Sequence, residues 1–100
     1  MTNNVAHEFG ASIRSYWLCE GRDQHVGSDL LEYMRNPLAK ITEPEFKWHL
    51  ADAILNKRFS VEEYERLTDL DFESREEVAA DLAQLWQLVF KDAPIELPRQ

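Results

Sequence analysis

The fold is decided by residues 74–91, Ser-Arg-Glu-Glu-Val-Ala-Ala-Asp-Leu-Ala-Gln-Leu-Trp-Gln-Leu-Val-Phe-Lys. One apolar stripe runs through this stretch at helical spacing, formed by Val78, Leu82, Leu85, Trp86, Val89 and Phe90. Ser74 followed by Glu77 is the capping-box pattern, in which a hydroxyl and a carboxylate satisfy the free amides at a helix start. Pro94 cannot continue a helix. The stretch therefore predicts a long helix over 75–91 with one face in the core.

The same start signal occurs twice more upstream, at Thr42/Glu45 and at Ser60/Glu63. It predicts a helix over 43–57 and a shorter one from Ser60 to about Thr68. Helix 43–57 carries apolar residues on two sides, which is typical of a helix sandwiched between others. We therefore expect it to pack with helix 75–91 at the centre of the molecule.

The first forty residues predict two further helices and a loop. An apolar stripe over 4–19 predicts a helix with Asn4 as its N-cap, and Ser28 is expected to cap a second helix that ends before Asn36-Pro37. Residues 20–27 are expected to form a loop.

The chain contains no alternating strand pattern longer than four residues. The fold class is therefore all-α, a compact bundle of four to five helices with short loops. Residues 1–91 form a single helical domain and residues 92–100 a C-terminal tail. The residues expected to be most buried are Leu50, Ile54, Val78, Leu82, Leu85, Trp86 and Val89.

Composition excludes several classes of protein. Nineteen of the 100 residues are Asp or Glu and eleven are Lys or Arg, a net charge of −8. Such a chain is a poor direct ligand for nucleic acid or an anionic membrane, because both are bound by clustered basic residues. The single cysteine, Cys19, cannot form an intramolecular disulfide, and neither a signal-peptide pattern nor a membrane-spanning run is visible. We expect a cytoplasmic protein.

No motif predicts catalysis, a metal site or a cofactor. The three histidines are far apart in sequence, and Cys19 has no accompanying motif. Asp69, Asp71 and Glu73 begin like a calcium loop, but Ser74 stands where that loop has Gly and Ala80 where it has Glu. The glycines form no phosphate-binding spacing. We therefore expect a non-enzymatic protein without a cofactor.

Acidic residues are concentrated in residues 60–81, which hold nine carboxylates and two arginines, a local net charge of −7. Two or three of these acids are explained by helix capping and the helix dipole, and others could simply serve solubility. The remainder repel one another unless a basic partner neutralises them. The residues predicted to bind a partner with a basic surface are Glu62, Glu65, Asp69, Asp71, Phe72, Glu73 and Glu76.

Residues 38–46, Leu-Ala-Lys-Ile-Thr-Glu-Pro-Glu-Phe, are similar to a segment of the colicin D immunity family. In size, acidity and helical pattern the chain also resembles other small bacterial toxin-immunity proteins, including those of contact-dependent growth inhibition. The resemblance implies a protein that covers the basic active site of a nuclease toxin, with carboxylates in place of nucleic-acid phosphates.

Two other functions fit the sequence. One is a phage-encoded inhibitor that mimics nucleic acid on a host defence complex, which would use the same acidic residues. The other is a helical adaptor or assembly subunit with an apolar contact surface, because three Trp and eight Phe or Tyr exceed what one small core needs.

Overall fold

A computed structural model of the chain describes residues 3–18, 22 and 25–97. Within this part the chain forms five α-helices and no strand, which confirms the all-α prediction. The helices are α1 (Asn3–Tyr16), α2 (Val26–Arg35), α3 (Glu43–Leu55), α4 (Val61–Thr68) and α5 (Arg75–Phe90). The predicted helix end at Cys19, most of the predicted loop 20–27 and the last three residues of the predicted tail lie outside the described residues.

Helix α5 packs against α3, as predicted, and also against α2, which the sequence did not predict. Of the seven residues expected to be most buried, six are fully covered and Ile54 is only half-buried. The prediction for Ile54 is wrong because this residue lies in the last turn of α3, at the edge of the core. The core also contains buried residues of the four other helices and of the segments that follow α1 and α2: Phe9, Ile13, Trp17, Val26, Leu30, Met34, Ile41, Phe46, Ala51, Ala53 and Tyr64.

The two apolar sides of α3 have different environments. On the inner side Phe46 is fully buried and contacts Phe9 of α1 and Phe90 of α5. On the outer side Trp48 and Leu55 keep 37% and 46% of their surface exposed. The prediction that α3 is covered on both sides is therefore wrong at Trp48 and Leu55, although Ala51 on the same side is fully buried. We call these two exposed residues the apolar patch.

Two predicted N-caps are replaced by earlier helix starts. Helix α1 begins at Asn3, so Asn4 lies inside the helix, and α2 begins at Val26, which leaves Ser28 exposed in its first turn. His25 occupies the N-cap position of α2 without a side-chain capping bond. Val26 and Gly27 are buried, so tertiary packing extends α2 beyond the start that local signals favour.

Gly27 marks the closest approach of α2 to α5. A Cβ atom at this position would overlap the backbone carbonyl of Leu88, and the neighbouring amide of Val89 would lie at 3.2 Å. The two helices can approach this closely only because residue 27 has no side chain. The glycine expected to close a loop is thus a packing residue inside a helix.

Residues 92–97, predicted as part of a tail, form no helix but lie against the core. Lys91 ends α5 with a positive φ of 58°, and the indole Nε1 of Trp86 donates to the carbonyl oxygen of Ala93 at 2.8 Å. Ile95 and Leu97 pack onto the buried cluster. This segment therefore covers one end of the core.

Candidate protein-binding surface

The acidic segment, residues 60–81, begins with a complete capping box at the start of α4. The hydroxyl of Ser60 accepts from the amide of Glu63 at 3.1 Å, and Oε1 of Glu63 accepts from the amide of Ser60 at 3.2 Å. Phe59 and Tyr64, on either side of this cap, have ring centroids 5.6 Å apart. The equivalent box at Thr42 and Glu45 is also complete. Both boxes confirm their predictions, and the one at Ser60 fixes where α4 starts.

The loop between α4 and α5 is held by side chains of the same segment. Asp69 ends α4 in the left-handed conformation, with φ of 61°. The hydroxyl of Thr68 accepts from the amide of Leu70 at 3.3 Å, and Oε2 of Glu65 accepts from the amide of Phe72 at 2.8 Å. The backbone that carries residues 69–73 is therefore anchored from inside the molecule.

The start of α5 differs from the predicted capping box in one detail. The hydroxyl of Ser74 accepts from the amide of Glu77 at 3.2 Å, as expected. Oε1 of Glu77 accepts from the amide of Glu73 at 2.7 Å, one residue before the cap. The carboxylate thus satisfies an amide of the loop, which ties the loop to the first turn of α5.

Asp81 is the hub of a polar network under the acidic segment. Its carboxylate forms a bidentate ion pair with the guanidinium of Arg22, with both N–O distances 2.7 Å. Oδ2 also accepts from the hydroxyl of Tyr64 at 2.7 Å and from Nε1 of Trp17 at 3.1 Å. Burial and the Asp81 carboxylate raise the pKa of Tyr64 well above its ordinary value, so this phenol stays a donor.

The nine carboxylates of residues 60–81 therefore fall into two groups. Four accept hydrogen bonds that hold the structure: Glu63, Glu65, Glu77 and Asp81. The side chains of the other five are exposed on α4, the following loop and the first turn of α5. We name them the acidic face: Glu62, Asp69, Asp71, Glu73 and Glu76.

The ion pairs of the described residues join Arg22 to Asp81, Arg35 to Glu43 and Arg58 to Asp52. None of them includes a carboxylate of the acidic face. The two arginines of the segment bind backbone carbonyls instead. Arg66 donates to Glu62 at 3.4 Å, and Arg75 donates to Lys57 at 3.2 Å. The charge of the acidic face is thus directed to solvent.

Five of the seven residues predicted to bind a partner are those of the acidic face. The other two, Glu65 and Phe72, are half-buried. Glu65 holds the loop, and the ring of Phe72 lies against that of Tyr64, with centroids 5.1 Å apart. Both residues support the loop that presents the acidic face.

Sequence reasoning did not foresee the Asp81 network or the grooves between helices. Arg22 lies in a predicted loop 59 residues before Asp81, and nothing in the local sequence connects them. A groove of about 570 Å³ runs between α1 and α4, with Ala6, Gly10, Arg14 and Leu67 among its lining residues. A Cβ atom built on Gly10 would meet nothing within 4 Å, so this groove is open.

Within residues 3–18, 22 and 25–97, no group of three or more His, Cys, Asp or Glu side chains is placed to hold a metal ion. The ring of Phe9 stacks on the imidazole of His49, and the ring of Trp48 meets the same imidazole edge to face. Burial lowers the pKa of the His49 imidazole. In the same part of the chain every buried side-chain nitrogen and oxygen has a hydrogen-bond partner. No described helix combines the length and the apolar character needed to cross a bilayer.

The candidate functional features are the exposed carboxylates, the loop anchored beneath them and the apolar patch on α3. No protein-family model matches the chain, and comparison with curated proteins and with solved structures found no match.

Proposed function

We propose that the chain is a non-enzymatic inhibitor or immunity-type protein whose acidic face covers a basic, nucleic-acid-type site on a partner protein such as a nuclease toxin. The observation that carries the proposal is the acidic face itself, five exposed carboxylates that form no ion pair within the described residues. Their mutual repulsion is relieved when a basic surface binds.

The position of these carboxylates supports binding by electrostatic complementarity. Asp71 and Glu73 lie on a loop in which Glu65 and Glu77 bind the amides of Phe72 and Glu73, so the backbone that carries their charges is held in place. A fixed cluster of one sign accelerates encounter with an oppositely charged surface and disfavours partners of like charge. Nucleic-acid-binding sites carry clustered Lys and Arg that neutralise phosphates, so they are basic surfaces of the kind that the acidic face complements.

The test uses a charge-reversed variant and a matched control. Asp71→Lys with Glu73→Lys reverses two charges on the loop without touching the hydrogen bonds of Glu65, Asp69 or Glu77. Asp92→Lys with Glu96→Lys makes the same change in net charge at exposed positions elsewhere. We expect tagged wild-type and control proteins to retain a basic protein from lysates of the source cell, and the loop variant to lose it.

The captured protein is then identified and assayed. A nuclease whose activity falls when wild-type protein is added supports the immunity-type function, and a subunit of a defence complex supports the phage-type inhibitor. Equal retention by the loop variant and the control would contradict a role for the acidic face in binding.

The exposed apolar patch on α3 supports a second candidate, a helical adaptor that binds through Trp48 and Leu55. Aromatic residues supply much of the binding energy at protein contacts. Salt separates the two candidates, because association through charges slows as ionic strength rises and association through an apolar patch is nearly insensitive. The variant Trp48→Ser with Leu55→Ser should abolish binding only for the adaptor.

A further inference from the structure

A groove of about 330 Å³ lies between α1 and α2, away from the acidic face. It is lined by Tyr16, Asp29, Glu32, Tyr33 and Asn36. Asp29, Glu32 and Tyr33 lie on one face of α2, at the spacing that places helical side chains together, and Asn36 is the C-cap residue that follows the helix. The groove therefore combines two aromatic rings with two carboxylates.

The rings of the groove are fixed in position. Tyr16 and Tyr33 are half-buried, their centroids lie 5.9 Å apart, and their planes are inclined by 37°. The hydroxyl of Tyr33 accepts from the backbone amide of Lys40 at 3.2 Å, which ties the ring to the α2–α3 loop. Such rings offer an electron-rich surface that attracts cations.

The carboxylates make the groove strongly negative. Asp29 and Glu32 are exposed, and the ion pairs of residues 25–97 use other acids. Burial raises the pKa of the Tyr16 hydroxyl, and Tyr33, Asp29 and Glu32 raise it further because they disfavour a second negative charge beside them. A cation is the ligand that this potential favours.

The molecule already contains one pairing of the same chemistry. The guanidinium of Arg22 lies 3.9 Å from the centre of the Trp17 ring and binds both carboxylate oxygens of Asp81. Guanidinium suits such a place better than ammonium, because it is planar, stacks on rings and donates to carboxylates in pairs.

We propose that the α1–α2 groove receives an arginine side chain of a partner protein, which stacks on the tyrosine rings and donates to Asp29 and Glu32. The inference concerns a different surface from the acidic face and does not depend on the proposed function. It adds a second contact, specific for arginine, at which a partner can bind.

The test uses N-acetyl-arginine amide as the probe, with the citrulline and lysine counterparts as comparisons, in a titration followed by ¹H–¹⁵N NMR. We expect saturable shifts of the amides of Glu32, Tyr33 and Asn36 with the arginine probe and weaker binding of the lysine probe. The uncharged citrulline probe should cause no saturable shift. Citrulline binding as well as arginine would overturn the proposal, and so would tighter binding of lysine.

Variants distinguish the groove from the general field of an acidic protein. We expect Glu32→Gln and Asp29→Asn each to weaken binding of the arginine probe about threefold. The control Asp92→Asn, which removes the same charge at an exposed position outside both the groove and the acidic face, should leave it unchanged. Equal weakening by the control would mean that the probe senses net charge only, and would overturn the proposal.

The contribution of the rings is tested separately. Tyr33→Leu removes the ring, and we expect about threefold weaker binding. Tyr33→Phe keeps the ring but loses the hydroxyl that accepts from the Lys40 amide, so we expect it to bind the probe more tightly than Tyr33→Leu does. If Tyr33→Leu proves unfolded by circular dichroism, Glu32→Gln still decides the proposal, because its exposed side chain forms no hydrogen bond or ion pair within residues 25–97 that folding would lose.

Discussion

Asp81 and Asp71 lie ten residues apart in the same acidic segment and have opposite surroundings. Asp81 accepts from Arg22, Tyr64 and Trp17 beneath the surface, whereas Asp71 is exposed on the loop between α4 and α5. On the packed side, the Asp81 carboxylate joins α5 to Arg22, to Trp17 and to Tyr64 of α4. On the open side, which is the acidic face, the Asp71 carboxylate forms no hydrogen bond or ion pair within the described residues. Local sequence acidity therefore does not reveal whether a carboxylate has a structural role.

The largest expected effect comes from removing the charge on the packed side. Asp81→Asn leaves the Arg22 guanidinium without its counter-ion. It also replaces one carboxylate oxygen by an NH2 group, which cannot accept the hydrogen bonds that Arg22, Tyr64 and Trp17 donate. We expect a loss of about 3 kcal/mol in the free energy of unfolding, measured in urea. Asp71→Asn should leave stability unchanged within error. If the two variants lost equal stability, the contrast between the packed and open sides would be wrong.

A pair of glycines extends the same contrast to packing. Gly27→Ala places a methyl group against the carbonyl of Leu88, and we expect it to cost about 2 kcal/mol. Gly10→Ala adds the same group where nothing lies within 4 Å, so the higher helix propensity of Ala should stabilise the protein by up to about 1 kcal/mol. Thermal unfolding of both variants gives the sign directly, and stabilisation by Gly27→Ala would contradict the close approach of α2 and α5.

A smaller effect separates a true helix cap from a serine that merely precedes apolar residues. Ser60→Ala removes the acceptor for the amide of Glu63 and should cost about 1 kcal/mol. Ser28→Ala lies within the first turn of α2, so its effect should stay below about 0.5 kcal/mol. Urea unfolding measures the stability of both variants. A larger loss of stability for Ser28→Ala than for Ser60→Ala would support the predicted cap of α2 at Ser28.

The smallest effect on stability is expected on the open side. Asp71→Lys with Glu73→Lys relieves repulsion within the acidic face, so the unfolding midpoint should stay level or rise slightly at low salt. Added salt should remove any gain. A clear loss of stability, measured by thermal unfolding at two salt concentrations, would mean that these carboxylates have structural partners after all.

The features that sequence could predict depend on neighbours within four residues. The caps at Thr42, Ser60 and Ser74 join a side chain to an amide three positions away, and the stripe of α5 repeats every turn. Composition and periodicity therefore sufficed for the fold class, for α5 and for most of its buried face.

The features that sequence could not predict depend on distant contacts. Arg22 meets Asp81 across 59 residues, and α2 starts before Ser28 because Val26 and Gly27 pack in the core. The sequence shows that the carboxylates of residues 60–81 are concentrated in one segment. Which of them accept structural hydrogen bonds and which are left without such a role depends on how α4 and α5 pack. Glu65 was assigned to the binding surface because its bond to the Phe72 amide cannot be read from the spacing.

The bond from Glu65 to the amide of Phe72 has a consequence for the thermodynamics of the proposed binding. A loop that must become ordered on binding loses conformational entropy, and affinity falls accordingly. Here Glu65, Thr68 and Glu77 fix the loop backbone before any partner arrives. Asp71 and Glu73 are therefore pre-organised, and the entropy cost of holding their backbone is met during folding rather than at the moment of binding.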